Sequence, residues 1–318
     1  MYTDSVDHKL YDRLMEEKKR LAAMLRTLEE SSEYRRGERV EKARNLFKNG
    51  LKQGFENAFD IIGERKNRKK LLSMVDIPVR KAPVAAPDYY SDHRIAVYTC
   101  IFGKYDHINE PLCVPDNVDY YIITDMEAPE NSVWKKLDIS GYPDRIRSMG
   151  DVEKNRWFKM HPHLVFPDYR YSVYIDGNIL PVTDFTELIN RISDRSGVAM
   201  FWHKYNNCVY EEALFNNMVV KKVPQKEVDR QVRYLKAKGM PEKYGMTTCN
   251  VIARDHGNEM CKKLMNDWWS EFIRHCRRDQ LSFPYVLWKN GVKFEDVATL
   301  GASVWDSDIL FVMSHNGR

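Results

Sequence analysis

The chain contains 318 residues, of which 43% are hydrophobic and 12% aromatic, so it can bury the core of one sizeable α/β domain and carry an extension. Residues 1–70 hold 18 Lys and Arg against 13 Asp and Glu, and the rest of the chain holds 32 against 33. The main body is therefore near neutral. This balance argues against a nucleic-acid-binding surface spread over the whole protein, because such proteins usually need a strongly basic face, while a local basic groove stays open.

The cysteine pattern and the first residues favour a cytoplasmic protein. The six cysteines include no CxxC pair and no short repeated spacing with histidines, so neither a zinc site nor a disulfide scaffold is predicted. The first residues lack the basic and apolar regions of a signal peptide. Nowhere do about 18 uncharged apolar residues run together. We therefore expect a cytoplasmic protein without a membrane span.

Residues 1–75 are predicted to form an α-helical extension. Leu14, Leu21 and Leu28 recur at heptad spacing, which favours either a helix-mediated oligomer or a solvated helix that leans on the main domain. A later apolar helix face is followed by the basic run Arg65–Lys70. Residues 8–70 therefore suit peripheral contact with the inner face of an anionic membrane, or a docked helix with a solvated basic face.

A linker is predicted over residues 76–91, where Pro78, Pro83 and Pro87 favour an extended chain, and the main domain over residues 92–318. Strand-like runs in this domain alternate with helical stretches. The strands are predicted at Arg94–Cys100, Asp119–Thr124, Tyr171–Ile175, Val198–Trp202 and Thr247–Ala253, and the helices at Asp184–Arg195, Gln225–Lys238 and Asn258–His275. Such interleaving implies crossover connections, and hence a Rossmann-like α/β fold with a mainly parallel sheet covered by helices.

The first two strands end in polar residues. Thr99 precedes the loop Phe102-Gly103-Lys104-Tyr105-Asp106, and the second strand ends at Thr124-Asp125. Loops at the carboxyl ends of parallel strands bind ligands in open α/β sheets, while an ordinary turn or cap is the alternative at each position. The sequence has neither GxGxxG nor GxxxxGK[ST], which argues against a dinucleotide fingerprint and a P-loop.

The clearest candidate site follows the strand Tyr171–Ile175, where the chain continues as Asp176-Gly177-Asn178. The glycine permits a tight turn, so we expect the carboxylate at the edge of a cleft, with a plain Asp-Gly turn as the alternative. Upstream, Lys154, Arg156 and Lys159 lie within one and a half helical turns. Three cations at that spacing would neutralise a diphosphate, unless they form a solvated helix face.

Further polar clusters come later in the chain. His203, Glu211 and Glu212 follow the strand Val198–Trp202. Asp279 and Gln280 stand at the start of a predicted helix. The alternative to a functional role is that Asp279 only caps this helix. His315 stands alone near the end of the sequence, and taken alone it is a solvated histidine.

As an ordered set, these motifs carry a family resemblance. The segments are Tyr98–Asp106, Lys154–Leu164, Pro167–Asn178, His203, Cys208–Ala213 and Arg278–Phe283. Over roughly residues 94–290, the chain resembles the glycosyltransferase-like domain shared by plant mucilage and pollen-tube proteins of the TOD/MUCI type and by many bacterial proteins. The resemblance does not extend to the N-terminal helices.

The resemblance implies a GT-A-like nucleotide-sugar fold in which Asp176-Gly177-Asn178 takes the place of the DxD motif. Such a motif holds Mn²⁺ or Mg²⁺ on the donor diphosphate, and here Asn178 lowers the expected metal affinity because an amide brings no charge. By similarity, the donor-binding residues are Thr99, Phe102, Gly103, Tyr105, Asp106, Asp125, Lys154, Arg156, Lys159, Asp176, Gly177 and Asn178. The implied metal ligands are Asp176, Asn178 and His315. Asp279 and Gln280 would face the sugar, and His203, Glu211 and Glu212 the acceptor.

The resulting prediction is a hexosyltransferase that uses a nucleotide-diphospho-sugar donor and a glycan or lipid-linked polysaccharide-precursor acceptor. Inversion and retention both stay open, and Asp279, Glu211 and Glu212 are the candidate bases for inversion. Two alternatives belong to other functional classes. One is a metal-assisted hydrolase in which Asp176 and His203 activate water. The other is a non-catalytic nucleotide-sugar-binding or scaffold protein whose N-terminal helices recruit partners.

Overall fold

A computed structural model describes residues 93–203, 206–216, 223–301, 303–307, 309–313 and 315. The helical extension predicted for residues 1–75 and the linker at residues 76–91 lie outside these residues. The membrane-contact and oligomer predictions for residues 8–70 lie outside them as well. Among the residues that the structure describes, no helix has both the length and the apolar character needed to cross a bilayer.

Nine strands form two sheets in the described part of the chain. The strands are β1 Ile95–Ile101, β2 Val118–Thr124, β3 Lys135–Lys136, β4 Tyr171–Ile175, β5 Ile179–Pro181, β6 Val198–Trp202, β7 Thr247–Asp255, β8 Ala298–Thr299 and β9 Leu310–Val312. The main sheet has the order β3-β2-β1-β4-β7-β6-β8, and β5 pairs with β9 in a separate small sheet.

The strands β1 and β4 are neighbours at the centre of the main sheet. Every residue of β1 and β4 is buried, which fits strands that are covered on both faces. β1 runs parallel to β2 and β4, whereas β7 runs antiparallel to β4 and β6. The prediction of a mainly parallel sheet covered by helices is confirmed, and the reversed direction of β7 was not predicted.

Helices cover the sheet. They are α1 Asp144–Arg147, α2 Asp151–Met160, α3 Pro162–Val165, α4 Val209–Phe215, α5 Gln225–Ala237, α6 Glu259–Arg274 and α7 Asp279–Lys289. Phe158 of α2, Trp268 of α6 and Phe283 of α7 pack in one fully buried cluster against one face of the sheet. The other face packs on Phe185, Leu188 and neighbouring apolar residues.

The helix predicted at Asp184–Arg195 is wrong in type and length. The chain forms a 3-10 helix at Thr186–Arg191 instead, and the following Ile192 is extended. The Asp184 carboxylate accepts hydrogen bonds from both the backbone N–H and the hydroxyl of Thr186. Local side-chain bonds of this kind compete with a longer α-helix.

A buried polar brace fixes the end of α2 on the sheet. The Tyr98 hydroxyl on β1 donates to the Lys159 carbonyl at 3.0 Å, and the Arg254 guanidinium on β7 donates to the same carbonyl at 2.6 Å. Arg254 also donates to the Tyr98 hydroxyl at 2.7 Å. Because all three residues are almost fully buried, the brace sets the position from which the Lys159 side chain extends.

Candidate functional site

Asp176 lies at the carboxyl end of β4, one residue beyond the strand. Its backbone N–H donates to the Asn250 carbonyl at 2.8 Å, and Ile179 N–H donates back to the Asp176 carbonyl at 2.9 Å, which closes a turn. The Tyr174 hydroxyl donates to Asp176 Oδ1 at 2.8 Å. The Asp176 side chain is 32% exposed. The carboxylate is therefore both oriented by the protein and accessible to a ligand.

Gly177 is required by a close approach of neighbouring side chains. A Cβ atom at this position would lie 2.8 Å from Ile101 Cγ1 and 3.0 Å from Asp106 Oδ2. Asn109 Nδ2 donates to the Gly177 carbonyl at 3.3 Å. The loop that follows β1 thus packs directly on the Asp176–Asn178 motif, so the two predicted ligand-binding segments meet.

The C-terminal segment also reaches this motif. Asn178 Nδ2 donates to the Met313 carbonyl at 2.9 Å, and Met313 N–H donates to the Asn178 carbonyl at 2.7 Å. Two residues further, His315 Nδ1 lies 2.7 Å from Asp106 Oδ1 and shares a hydrogen bond with it. The Tyr105 and His315 rings are 4.9 Å apart. His315 is therefore held at the site and is not a solvated tail residue.

A buried ion cluster adjoins Asp176 on the other side. Lys159 Nζ lies 2.8 Å from Asp279 Oδ2 and 3.5 Å from Asp176 Oδ1. Arg156 Nε lies 2.9 Å from the same Asp279 oxygen, as an ion pair without hydrogen-bond alignment. Burial opposes ionisation of Asp279, but Arg156, Lys159 and Arg278 outweigh it and hold the pKa of that carboxyl far below its usual range. Asp279 is thus a fixed anion.

The remaining donor-side residues occupy the rim of this region. The Lys154 ammonium lies over the Phe102 ring, 5.1 Å from its centroid, and not in the ion cluster. Gly103 adopts a left-handed conformation with φ +65° and donates its N–H to Asp125 Oδ2 at 3.1 Å. The Thr99 hydroxyl is buried and has no hydrogen-bond partner among the described residues. Thr99 lines a small cavity beneath Gly177.

A second cluster forms around Glu212 on α4. Its buried carboxylate accepts a hydrogen bond from Asn206 Nδ2 at 3.1 Å and lies 3.9 Å from both His203 Nε2 and Arg278 Nη2. Arg278 also donates to Gln280 Oε1 at 2.8 Å. Burial lowers the pKa of His203, with Glu212 acting in the opposite direction and Arg278 in the same one. His203 is therefore a neutral imidazole near pH 7.

The structure groups most of the predicted residues into these clusters, while their roles toward a donor or an acceptor stay predictions. Glu211 is half-buried on α4 beside Glu212. Sequence reasoning assigned no role to Tyr174, Asn206 or Arg278. Tyr174 was identifiable, because residues two apart on a strand share one face and Tyr174 stands two residues before Asp176. Arg278 adjoins the Asp279-Gln280 pair that the sequence singled out.

The atoms of the predicted metal ligands are of types that bind divalent cations. They comprise the Asp176 carboxylate, the Asn178 amide oxygen and the His315 imidazole. Asp106, the hydrogen-bond partner of His315, corresponds to the carboxylate that commonly orients a metal-bound histidine. Within the described ranges, no group of three or more His, Cys, Asp or Glu side chains is arranged to hold a metal ion.

A family model described as TOD1/MUCI70, glycosyltransferase-like domain, matches residues 84–300. The chain belongs to this family. The resemblance inferred from the motifs is thereby confirmed, and the observed sheet confirms the predicted mainly parallel α/β class. A curated relative, the probable hexosyltransferase MUCI70 of Arabidopsis thaliana, is 23% identical over 222 residues, which cover 60% of this chain. The match spans only 37% of that protein's length.

Two solved structures also share similarity with the chain at 12% sequence identity. The apo structure of the bifunctional glycosyltransferase WbbM aligns with a TM-score of 0.39, covering 68% of this chain and 40% of its own. The galactosyltransferase LgtC, solved with donor and acceptor sugar analogs, aligns with a TM-score of 0.36, covering 62% of this chain and 72% of its own. At these scores, neither structure assigns a role to any residue of this chain.

Proposed function

We propose that the chain is a glycosyltransferase that moves a hexose from a nucleotide-diphospho-sugar to a hydroxyl of a glycan or lipid-linked polysaccharide precursor. The observation that carries the proposal is the placement of Asp176, at a strand end, next to the buried cation Lys159 and the His315–Asp106 pair. Membership in a glycosyltransferase-like family and a relative named as a probable hexosyltransferase support it.

The donor diphosphate is assigned to the space beside Asp176. Asp176, Asn178 and His315 would hold Mn²⁺ or Mg²⁺, which supplies positive charge against the departing nucleoside diphosphate when bound. Lys159 and Arg156 set the electrostatic potential of the pocket from inside the protein. The β1 loop, together with Asp125, is assigned to the nucleoside.

The reaction centre is assigned to the region between the ion cluster and Glu212. Asp279 is a poor base, because the three cations around it depress its pKa far below neutral pH. Its assigned role is to fix Lys159 and Arg156 beside the sugar, with Gln280 at the same helix start. Glu212, paired with Asn206 and near His203, is the better candidate to accept the proton of the acceptor hydroxyl.

The arrangement does not favour the hydrolase alternative. That alternative requires Asp176 and His203 to act on one water molecule. The structure instead joins Asp176 to Tyr174 and Lys159, and it places His203 beside Glu212. The two residues therefore belong to different clusters.

The proposal is tested by a thermal-shift panel of UDP-, GDP-, ADP- and CMP-sugars, with and without Mn²⁺, on the wild type and on Asp176→Ala. Asp168→Ala serves as the matched control, because Asp168 is an exposed turn residue. We expect one nucleotide class to raise the melting temperature of the wild type and the control but not of Asp176→Ala. No response to any nucleotide sugar would contradict the proposal, and binding without turnover would favour the scaffold alternative.

A further inference from the structure

The Asn178 side chain extends the pairing between β5 and β9 by one step. In that pairing Ile179 stands opposite Val312, and the adjacent Met313 meets Asn178. Met313 donates its N–H to the Asn178 carbonyl and accepts from the Asn178 carboxamide, so both of its backbone groups bind the same residue. Asn178 is 9% exposed, and bonds in such a site are worth more than bonds in water.

The position of His315 follows from these two hydrogen bonds between Asn178 and Met313. His315 stands two residues beyond Met313, and its ring nitrogen lies 2.7 Å from Asp106 Oδ1. The other carboxylate oxygen of Asp106 lies against Gly177, at the neighbouring residue of the motif. The C-terminal segment is thus attached to the motif at two points, one through Asn178 and one through Asp106.

We propose that Asn178 is a positioning residue, whose carboxamide N–H holds the Leu310–His315 segment so that His315 stays beside Asp106 at the donor site. The part of this inference that places a nucleotide-sugar donor at the site rests on the function proposed above. It explains why an amide stands where a carboxylate is usual in the related motif. A carboxylate has no N–H to donate, and an Asp at this position would direct an oxygen at the Met313 carbonyl.

The positioning role and a pure ligand role make opposite predictions for Asn178→Asp. If Asn178 acted only as a cation ligand, the added charge would strengthen cation binding. If Asn178 holds Met313 in place, the same change breaks the hydrogen bond to the Met313 carbonyl. It also sets a carboxylate oxygen against that carbonyl oxygen, which releases the segment.

The first test is hydrogen exchange of the peptide that covers Met313, measured by mass spectrometry on the full chain without any ligand. Asn178→Asp should speed exchange of this peptide by about tenfold, the effect of losing one buried hydrogen bond. Asn131→Asp, an exposed loop residue, controls for the added charge and should leave exchange unchanged. Asn178→Ala replaces the Asp variant if that variant does not fold. Unchanged exchange in the Asn178 variant would overturn the proposal.

The second test is a double-mutant cycle between Asn178→Asp and His315→Gln. The readout is the Kd of the best-binding nucleoside diphosphate among UDP, GDP and ADP, measured with Mn²⁺. If Asn178 acts through His315, the loss of binding free energy caused by Asn178→Asp should fall to less than half in the His315→Gln background. If the two substitutions raise the Kd by independent factors, so that the factor of the double variant is their product, the positioning role is overturned. If no nucleoside diphosphate binds, the proposed function fails, while the hydrogen-exchange result still decides whether the Asn178 side chain holds Met313.

Discussion

Lys159 Nζ lies 2.8 Å from Asp279 Oδ2, although 120 residues separate the two in the sequence. Both side chains are nearly fully buried, at 1% and 4% exposure, and the same ammonium lies 3.5 Å from Asp176 Oδ1. One cation therefore joins the end of β4 to the start of α7. The region assigned to the donor and the region assigned to the transferred sugar share a single electrostatic network.

The Asp279→Asn variant should lose a large part of its folding stability. Removal of this carboxylate leaves the buried Lys159 and Arg156 without their shared partner, and breaking a buried ion pair costs about 3–5 kcal/mol. Urea unfolding at pH 7.5 measures the change. Asp168→Asn, on an exposed turn, should stay within about 0.5 kcal/mol of wild type. A loss below about 1 kcal/mol in Asp279→Asn would show that the network does not stabilise the fold.

The Gly177→Ala variant should disturb the Asp106–His315 pair. The added methyl group would stand 3.0 Å from Asp106 Oδ2 and 2.8 Å from Ile101 Cγ1, so one or both must move. Overpacking of this kind costs about 1–3 kcal/mol. Gly141→Ala is the matched control, because a Cβ there meets nothing within 4 Å. Equal unfolding free energies for the two variants would contradict the packing seen around Gly177.

Buried histidines should destabilise the protein in mild acid. Burial lowers the pKa of His161 to about 4 and that of His256 to about 3, from 6.5. The unfolded chain therefore binds more protons below pH 6.5. The stability that each neutral histidine contributes is fully present above pH 6.5 and is lost as pH falls toward 4 and 3.

Between pH 6.5 and 5, this effect amounts to about 2 kcal/mol for each histidine. Chemical denaturation at a series of pH values should show a smaller acid-induced loss in His256→Gln than in wild type. The histidine His163, whose pKa burial also lowers, still titrates in the variant. Equal pH slopes for wild type and variant would exclude His256 as a source of the acid sensitivity.

Glu212→Gln should slow hexose transfer while leaving donor binding intact. Glu212 is assigned to the acceptor side, away from Asp176, and loss of a general base reduces turnover by about 100-fold or more. The loss should exceed that in Glu211→Gln, because Asn206 and His203 contact Glu212. Steady-state transfer rates and donor Kd values separate the two effects. A larger loss in Glu211→Gln would reverse the assignment.

Local sequence patterns sufficed for the long elements of the fold. β4 and β6 match the predicted ranges Tyr171–Ile175 and Val198–Trp202, because each is a mostly apolar run bounded by polar residues or glycine. α5 begins at the predicted Gln225. The pairing of β5 with β9 was not predictable, since strands of three residues show no periodicity and their partners are about 130 residues apart.

The site was predictable in its residue types but not in its contacts. Asp176 stood out because it follows a strand and Asp279 because it opens a helix, whereas Lys159 stood out as one of three cations within one and a half helical turns. Which of them meet depends on how α2 and α7 pack on the sheet, and this is a tertiary property. His315 shows the same limit, because only its pairing with Asp106 distinguishes it from a solvated histidine.

The most direct test of the proposed donor site is release of nucleoside diphosphate from a mixture of UDP-, GDP- and ADP-hexoses, by wild type and by Asp176→Ala. Chromatography resolves the released nucleotides, and Asp168→Ala again serves as the control. The proposed function predicts release of one nucleotide class by wild type and control, and its loss in Asp176→Ala. Equal release by Asp176→Ala, or no release from any donor, would contradict it.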